Sequence, residues 1–233
     1  AGTVTVDEAR VALVTARFDG FVERLDVRTT GGTVAAGEPL LTVWIESDEL
    51  LRKQADYLSA LSRGGRDAER AAQNLRLFGI SSASIAEMAR TRAPARVVTF
   101  EAPLGGTVIE KPSLDGMRFA AGDTLFRIAD LSALWVMAEI AEQDLALVRP
   151  GQTAQLSMPA MPGETREAIV DFVYPDLDMA TRSGRVRLVV PNADGRLKLG
   201  HFVRVEIGAP AGSYTHLRAH EAPEHLGSRL LLE

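Results

Sequence analysis

Few residues of this 233-residue chain could bind a metal or take part in catalysis. The histidines are the first candidates. The chain has four histidines and no cysteine, which excludes disulfides, thiolate zinc sites and a cysteine nucleophile. His216, His220 and His225 are spaced closely enough to chelate a metal. The fourth, His201, follows a turn glycine at a predicted strand start, where an ordinary surface position is the simpler interpretation. A Ser-His-Asp site would require an acid and a hydroxyl beside His201, so we predict no catalytic residue and no enzyme.

The three clustered histidines belong to a tail that differs from the rest of the chain. From about Ala211 the sequence has neither the alternation of a strand nor the spacing of a helix. Residues 213–221 resemble a translated sequencing-library adapter. We therefore interpret residues 209–233 as a non-native tail and leave their histidines out of the functional argument.

Two methionines offer a second metal hypothesis. Met158 and Met161 lie three residues apart around Pro159, and thioether sulfur suits soft ions such as Cu(I). Packing is the simpler explanation for such a pair. We therefore predict no metal site and keep Met158 and Met161 as weak candidates only.

The elements that would position these residues are organised around a repeat. Residues 14–43 and 98–128 both open on Val-Thr, reach Gly-x-Val at Gly20 and Gly106, and close on Ala-Ala-Gly followed by an acid. Two copies are too few for a solenoid, so we expect the two β-halves to close on each other as one sandwich. Glycines 20, 31, 32 and 37 are expected to mark turns, where a positive φ is easiest for glycine.

The segment between the two halves changes to a helical period. Ser47 followed by two acids is the pattern of a helix start, and apolar residues then recur at helical spacing. Gly64 and Gly65 end the first helix, and Gly79 ends the second. We expect a hairpin over residues 47–94, with a third short helix, whose apolar stripes pack together.

The far end of this hairpin is the candidate partner site. It is glycine-rich and basic, and no core partner for it is visible in the sequence. Exposed loops that a fold does not require are where binding residues concentrate. The predicted contact residues are Leu61, Ser62, Arg63 and Arg66.

The remaining sequence predicts a second β-domain. Short strands near residues 152–158, 166–174, 184–190 and 201–207, with a connecting turn at 175–178, are typical of a barrel of about six strands. Residues 3–6 are β-branched and are expected to supply the strand that is lacking. The predicted fold class is therefore mainly β with a helical insertion. The predicted domains are a β-barrel (1–8 and 132–208), a sandwich (9–46 and 95–131) and a hairpin (47–94).

Composition limits the classes of partner. A net charge of −5 gives no indication of nucleic-acid binding, and no apolar run approaches the roughly 18 residues of a membrane-spanning helix. The chain begins at Ala1 without a signal peptide, which we interpret as a fragment or a processed product.

Several strings together resemble the periplasmic adaptor subunits, or membrane fusion proteins, of heavy-metal efflux pumps of the resistance-nodulation-division (RND) class, in the branch that is CusB- and CzcB-like. The more specific strings are residues 74–81 (NLRLFGIS) and 128–136 (IADLSALWV), and the others are residues 3–8, 20–25, 29–31, 142–144, 174–178, 181–182 and 194–200. The resemblance covers residues 1 to about 208. It implies a β-barrel domain, a lipoyl-like (barrel-sandwich hybrid) domain made from the two repeat halves, and a short α-helical hairpin.

The resemblance also implies a role in assembly. In this family the hairpin points toward an outer-membrane channel of the TolC type, the barrel side contacts the inner-membrane RND pump, and copies form a ring in the periplasm of a Gram-negative cell. The family's metal-binding N-terminal segment and membrane-proximal domain are expected to lie outside this sequence, so the exported metal is not predicted.

Two alternatives stay open. One is an adaptor for another exporter class, type I secretion or ABC. The hairpins of those systems are typically longer coiled coils, so the short helices predicted in this chain favour the metal branch. The other is a lipoyl or biotinyl carrier, which would need a lysine on the turn between the two halves. Lys53 lies in a predicted helix and Lys111 at a strand end, so we expect no cofactor.

Overall fold

A computed structural model describes residues 1–159 and 161–208 of the chain. The tail histidines His216, His220 and His225 and the proposed non-native tail lie outside the described residues. The strands are β1 (Gly2–Val6), β2 (Val11–Thr15), β3 (Gly20–Leu25), β4 (Thr33–Val34), β5 (Pro39–Ile45), β6 (Val97–Glu101), β7 (Gly106–Glu110), β8 (Arg118–Phe119), β9 (Thr124–Ala129), β10 (Ala133–Ala141), β11 (Thr153–Met158), β12 (Met161–Asp178), β13 (Ser183–Pro191) and β14 (Phe202–Ile207). The helices are α1 (Asp48–Arg63), α2 (Arg66–Leu77), α3 (Ser82–Thr91) and α4 (Glu142–Leu145).

Six strands form a closed barrel in the order β1-β10-β13-β12-β11-β14. The first strand closes it, because Thr3 lies opposite Met137 of β10 on one side and opposite Phe202 of β14 on the other. Alternate residues of these strands, such as Val4 and Val136, point into a shared apolar core. The predicted fold class, mainly β with a barrel and a helical insertion, is confirmed.

The predicted turn at residues 175–178 was wrong. β12 continues to Asp178, and its register with β13 shifts between Val173 and Leu177. This irregularity leaves Pro175 out of the ladder, where its missing N–H costs nothing. The turn follows β12, and the carboxylate of Asp178 accepts hydrogen bonds from the backbone N–H groups of Ala180 and Thr181.

The two repeat halves are interleaved in two four-stranded sheets. One sheet has the order β2-β9-β7-β4 and the other β6-β5-β3-β8, so each contains strands of both halves. Inward residues of both sheets, including Val22, Leu41, Phe126 and Ile128, form one core. The sandwich is therefore a single unit in which neither half has a complete sheet of its own.

The glycines of the repeat have two different structural roles, one in turns and one at close backbone contacts. Gly31 and Gly37 have φ of 85° and 79° and lie in turns, as expected. Gly20 was predicted to mark a turn, which is wrong: it is the first residue of β3. A Cβ on Gly20 would lie 2.3 Å from the carbonyl oxygen of Trp44, and one on Gly106 would lie 2.4 Å from that of Ala129. Space, not backbone conformation, requires glycine at both positions.

The chain passes between sandwich and barrel twice, and a polar cluster joins the two crossings. The Arg10 guanidinium donates to the Asp130 carboxylate at 2.7 Å and to the Ser132 hydroxyl at 3.1 Å. The buried Asn192 of the barrel side donates to the Leu131 carbonyl oxygen at 2.9 Å. These bonds fix the junction through backbone as well as side-chain groups.

The junction carboxylate gives a pH-dependent prediction. Hydrogen bonds from the backbone N–H and hydroxyl of Ser132, with a further contribution from Arg10, hold the pKa of Asp130 below its ordinary value. A lowered pKa in the folded state stabilises the fold above the unfolded pKa of about 3.9, and this gain is lost as the pH falls through the folded pKa. The side chain is 39% exposed, so screening limits the effect to roughly 0.5 kcal/mol. Asp130→Asn should melt slightly below the parent at pH 7, and this difference should be smaller at pH 3. A gap of equal size at both pH values in thermal melts would refute the assignment.

Candidate partner-binding site on the helical insertion

The insertion begins with a well-capped helix. The Ser47 hydroxyl accepts a hydrogen bond from the Leu50 backbone N–H, and Asp48 and Glu49 occupy the first turn of α1, where carboxylates interact favourably with the helix dipole. α1 has 16 residues, which at 1.5 Å per residue makes a rod about 24 Å long. Its buried side chains, Leu50, Gln54, Tyr57 and Ala60, recur at helical spacing along one face.

The insertion shares its core with the sandwich. Leu50 of α1, Leu75 of α2 and Met88 of α3 belong to the same buried cluster as sandwich residues such as Leu41 and Phe126. The sequence suggested stripes that pack only on one another, but the structure shows that they also complete the sandwich core. The base of the hairpin is thus a fixed part of the molecule.

A buried amide anchors α1 to the returning chain. Gln54 is 0% exposed, and its Nε2 donates to the Ala95 carbonyl oxygen at 3.0 Å. We expect Gln54→Ala to lower the free energy of unfolding by about 2–3 kcal/mol, since it leaves a cavity and removes the donor from a backbone carbonyl.

The control is Gln73→Ala on the exposed face of α2, which should change stability by less than about 0.5 kcal/mol. Urea unfolding of both variants measures the difference. Equal midpoints for the two variants would show that Gln54 does not anchor the helix.

The far end of the hairpin joins α1 to α2 through two glycines. Gly64 and Gly65 have φ of 72° and 79°, a region that favours glycine. Ser62, Arg63 and Arg66 are exposed, and the Ser62 hydroxyl donates to the Leu58 carbonyl oxygen of its own helix. We call the exposed residues Ser62–Arg63 and Arg66 the tip.

Leu61 differs from the other predicted contact residues. No core partner for Leu61 was visible in the sequence, but its side chain is half-buried and packs against the shared core. Its place on the inward stripe of α1, one turn beyond Tyr57, explains this. The expectation that the far end lacks a core partner was therefore wrong for Leu61.

The barrel and the hairpin lie at opposite ends of the sandwich. At one end of β2, Val11 lies opposite Ala129, beside the junction with the barrel. At the other end Thr15 lies opposite Thr124, and just beyond it the Arg17 guanidinium donates to the Leu77 carbonyl oxygen at the end of α2. The order along the molecule is barrel, sandwich, hairpin.

Comparison with known protein families shows which family has this architecture. Residues 11–129 match the family described as the CusB barrel-sandwich hybrid domain, and residues 133–211 match the CusB-like beta-barrel domain. The chain belongs to the CusB-like family of heavy-metal RND membrane fusion adaptors. The two matches together cover both β-domains of this adaptor.

Individual relatives agree. The cation efflux system protein CusB of Escherichia coli (strain K12) is 32% identical over 203 residues, covering 84% of this chain and 48% of CusB. The membrane fusion protein SilB of Salmonella typhimurium is 29% identical over 199 residues, covering 84% of this chain and 46% of SilB. The adaptor chain thus spans about half the length of the curated relatives it matches.

A solved structure shows the same fold. The crystal structure of ZneB from Cupriavidus metallidurans superposes with a TM-score of 0.59 at 24% sequence identity, covering 88% of this chain and 95% of that one. This chain therefore shares its overall fold with ZneB.

The weak metal candidates lie in the barrel of the adaptor. Met158 is 3% exposed within the barrel core, and Met161, which pairs with it in the ladder, packs on the same core. Their burial agrees with a packing role, and ligation by their sulfur atoms stays a hypothesis. Within residues 1–159 and 161–208, no cluster of three or more His, Asp or Glu side chains is placed to hold a metal ion.

The other residues weighed for chemistry are scattered. His201 Nδ1 accepts a hydrogen bond from the Lys198 backbone N–H at the start of β14, and Lys111 donates to the nearby Ser113 carbonyl oxygen. Lys53 lies in α1.

No helix of the described part of the chain is long and apolar enough to cross a membrane.

Proposed function

We propose that this chain is the periplasmic adaptor that joins an inner-membrane RND pump to an outer-membrane channel of the TolC type in the efflux of a metal cation. Its role is assembly, without catalysis or a bound cofactor. Copies form a ring that is associated with the inner membrane and seals the path between the two partners. Two of its relatives, CusB and SilB, are a cation efflux system protein and a membrane fusion protein.

The observation that carries the proposal is the two-ended architecture. The barrel and the hairpin tip lie at opposite ends of the sandwich, so one copy can contact two partners at once. We assign the barrel end to the pump and the tip to the channel. The division into barrel (1–8 and 132–208), sandwich (9–46 and 95–131) and hairpin (47–94) is part of this proposal.

The proposed channel contact is electrostatic and local. Arg63 and Arg66 are exposed beside the paired glycines, and neither forms a salt bridge with a residue in the described part of the chain. Arginines of this kind are common anchors of protein interfaces because their planar guanidinium forms several directed hydrogen bonds. Ser62 adds a hydroxyl beside them.

A charge reversal at the tip tests this assignment. The double substitution Arg63→Glu/Arg66→Glu, made in the full-length gene, should reduce metal resistance of a complemented deletion strain nearly to that of the strain without the gene. Resistance is measured by growth on graded copper, silver, zinc, cobalt and cadmium salts. The melting temperature of the purified chain should stay unchanged, because both side chains are exposed.

The matched control is Arg52→Glu/Arg76→Glu, which makes the same charge change at exposed positions nearer the base of the same two helices. Resistance should survive it. If both variants lose resistance equally, the hairpin's overall charge matters and the tip is not the contact. If neither loses it, the tip charges have no role in efflux.

A further inference from the structure

The two outer faces of the sandwich differ in chemistry. On the sheet that contains β3, β5 and β6, three apolar side chains stand in register across the strands: Phe21 opposite Trp44, and Trp44 opposite Val97. They are 37%, 44% and 39% exposed. We call these three residues the aromatic row. Their alternating positions place them on the opposite side of the sheet from the core residues Val22, Val43 and Val98.

Positive charge flanks the aromatic row. The Arg96 guanidinium lies 6.0 Å from the centre of the Trp44 ring, and Arg118 lies opposite Phe21 in the ladder. Glu46 pairs with Arg118 at 2.9 Å. This face therefore offers two arginines and one glutamate around an apolar centre.

The opposite face of the sandwich has the reverse arrangement. A shallow depression of about 380 Å³ is lined by Glu8, Val11, Leu13, Glu110, Thr124 and Arg127. Leu13 in its lining is 57% exposed and lies opposite Arg127, which in turn lies opposite Glu110. We call this surface the acidic depression. It offers two glutamates and one arginine around an apolar centre, and it has room for an aromatic side chain.

We propose that the aromatic row of one copy packs into the acidic depression of the next copy. The inference rests on the ring in the proposed function and assigns the surfaces that build it. Apolar side chains aligned on an exposed sheet face mark an interaction site, and here the surface that complements them in shape and charge lies on the same molecule. A head-to-tail contact between two different patches continues from copy to copy and closes into a ring when the rotation allows.

The contact has a defined centre and rim. Trp44 would bury its ring against Leu13, since large aromatic side chains are the commonest anchors of such interfaces. Arg96 and Arg118 would face Glu8 and Glu110, while Arg127, whose distance to Glu110 is 4.0 Å, would gain Glu46 as a second carboxylate. The charged rim would fix the direction of the contact more than its strength.

Cross-linking between introduced cysteines tests the proposal, because the chain has no cysteine of its own. The variant Val97→Cys/Thr124→Cys keeps Trp44 and Leu13 in place and puts one cysteine on each surface. Purified as the whole chain and treated with a short bis-maleimide reagent, it should give a ladder of covalent oligomers on a denaturing gel. Either single variant should remain monomeric under the same treatment. Circular dichroism of each variant verifies that it is folded.

Two outcomes overturn the proposal. Covalent dimers from Val97→Cys alone would show a symmetric contact of like faces. A double variant that stays monomeric both in solution and in cells that carry the full efflux system would show that the faces do not meet. A charge exchange adds a second test: Arg96→Glu/Arg118→Glu and Glu8→Arg/Glu110→Arg should each weaken the ladder, and all four substitutions in one chain should restore it. No restoration would exclude the predicted pairing.

The result is separable from the proposed function. A persistent ladder together with full resistance from the hairpin-shortened gene described in the Discussion would refute the bridging role and leave the ring contact standing. A missing ladder together with lost resistance from the hairpin-shortened gene would exclude the ring contact and leave the bridging role supported.

Discussion

Gly106→Ala is expected to destabilise the sandwich by about 3 kcal/mol or more, which corresponds to roughly 6–12 °C in melting temperature for a chain of this size. The added methyl carbon would lie 2.4 Å from the Ala129 carbonyl oxygen and 2.7 Å from its carbonyl carbon. Both are backbone atoms of β9, so no side-chain rotation relieves the clash and the ladder between β7 and β9 must move. Gly20→Ala should behave in the same way, because its methyl carbon would meet the Trp44 carbonyl oxygen at 2.3 Å.

The neighbouring residue provides the control. A Cβ on Gly105 would find its nearest atom at 3.5 Å, an ordinary contact, so Gly105→Ala should melt within about 2 °C of the parent. Calorimetry or circular dichroism on the three variants makes the comparison. If Gly106→Ala melted together with Gly105→Ala, close backbone approach would not be the reason for glycine at the start of each Gly-x-Val.

The β-architecture could be predicted because its signals are local and repeated. The Gly-x-Val and Ala-Ala-Gly strings occur twice, and the structure interleaves the two copies in both sheets. The β-branched residues before Asp7 predicted a strand that completes the barrel, and β1 lies between β10 and β14. A helix start at Ser47 followed from one hydroxyl and two acids, and the hydroxyl caps α1.

The errors share a cause, which is contact between residues distant in the sequence. Nothing near Gly20 in the sequence shows that the Trp44 carbonyl oxygen approaches it across the sheet. Leu61 appears unpartnered until α2 and the sandwich core are placed beside it. Pro175 ordinarily indicates a turn, and only the shifted register between β12 and β13 explains why the strand continues past it.

Cation–π contacts on the barrel were likewise invisible in the sequence. The Arg187 guanidinium lies 4.1 Å from the Trp135 ring centre and 5.5 Å from that of Phe172, and its Nε donates to Asp171. These residues come from three strands, and their register was needed to bring them together. The cluster clamps β10, β12 and β13 on the outer side of the barrel.

Shortening the hairpin is expected to abolish metal resistance while leaving the fold intact. Residues 58–71 would be replaced by a short Gly-Ser turn that joins Tyr57 to Ala72. The cut keeps Leu50 and Leu75, which complete the shared core, and removes the tip with about 10 Å of each helix at 1.5 Å per residue. A shortened hairpin that does not reach the channel cannot bind it, so metal export should fail even when the pump is active.

The matched control keeps the hairpin length and changes exposed side chains within the same segment. Ser59→Ala/Glu69→Ala leaves Arg63 and Arg66 in place, and both changed positions are exposed. This variant should retain full resistance. It separates the loss of the tip from any general sensitivity of the segment to substitution.

Growth of the complemented deletion strain on graded metal salts, with the hairpin-shortened gene in place of the parent, tests the bridging role most directly. The bridging role predicts growth no better than that of the strain without the gene, together with a cooperative melt of the purified shortened chain. Full resistance from the shortened gene would contradict it. The bridging role would then fall, and a carrier or a stand-alone binding module would become the better account of this chain.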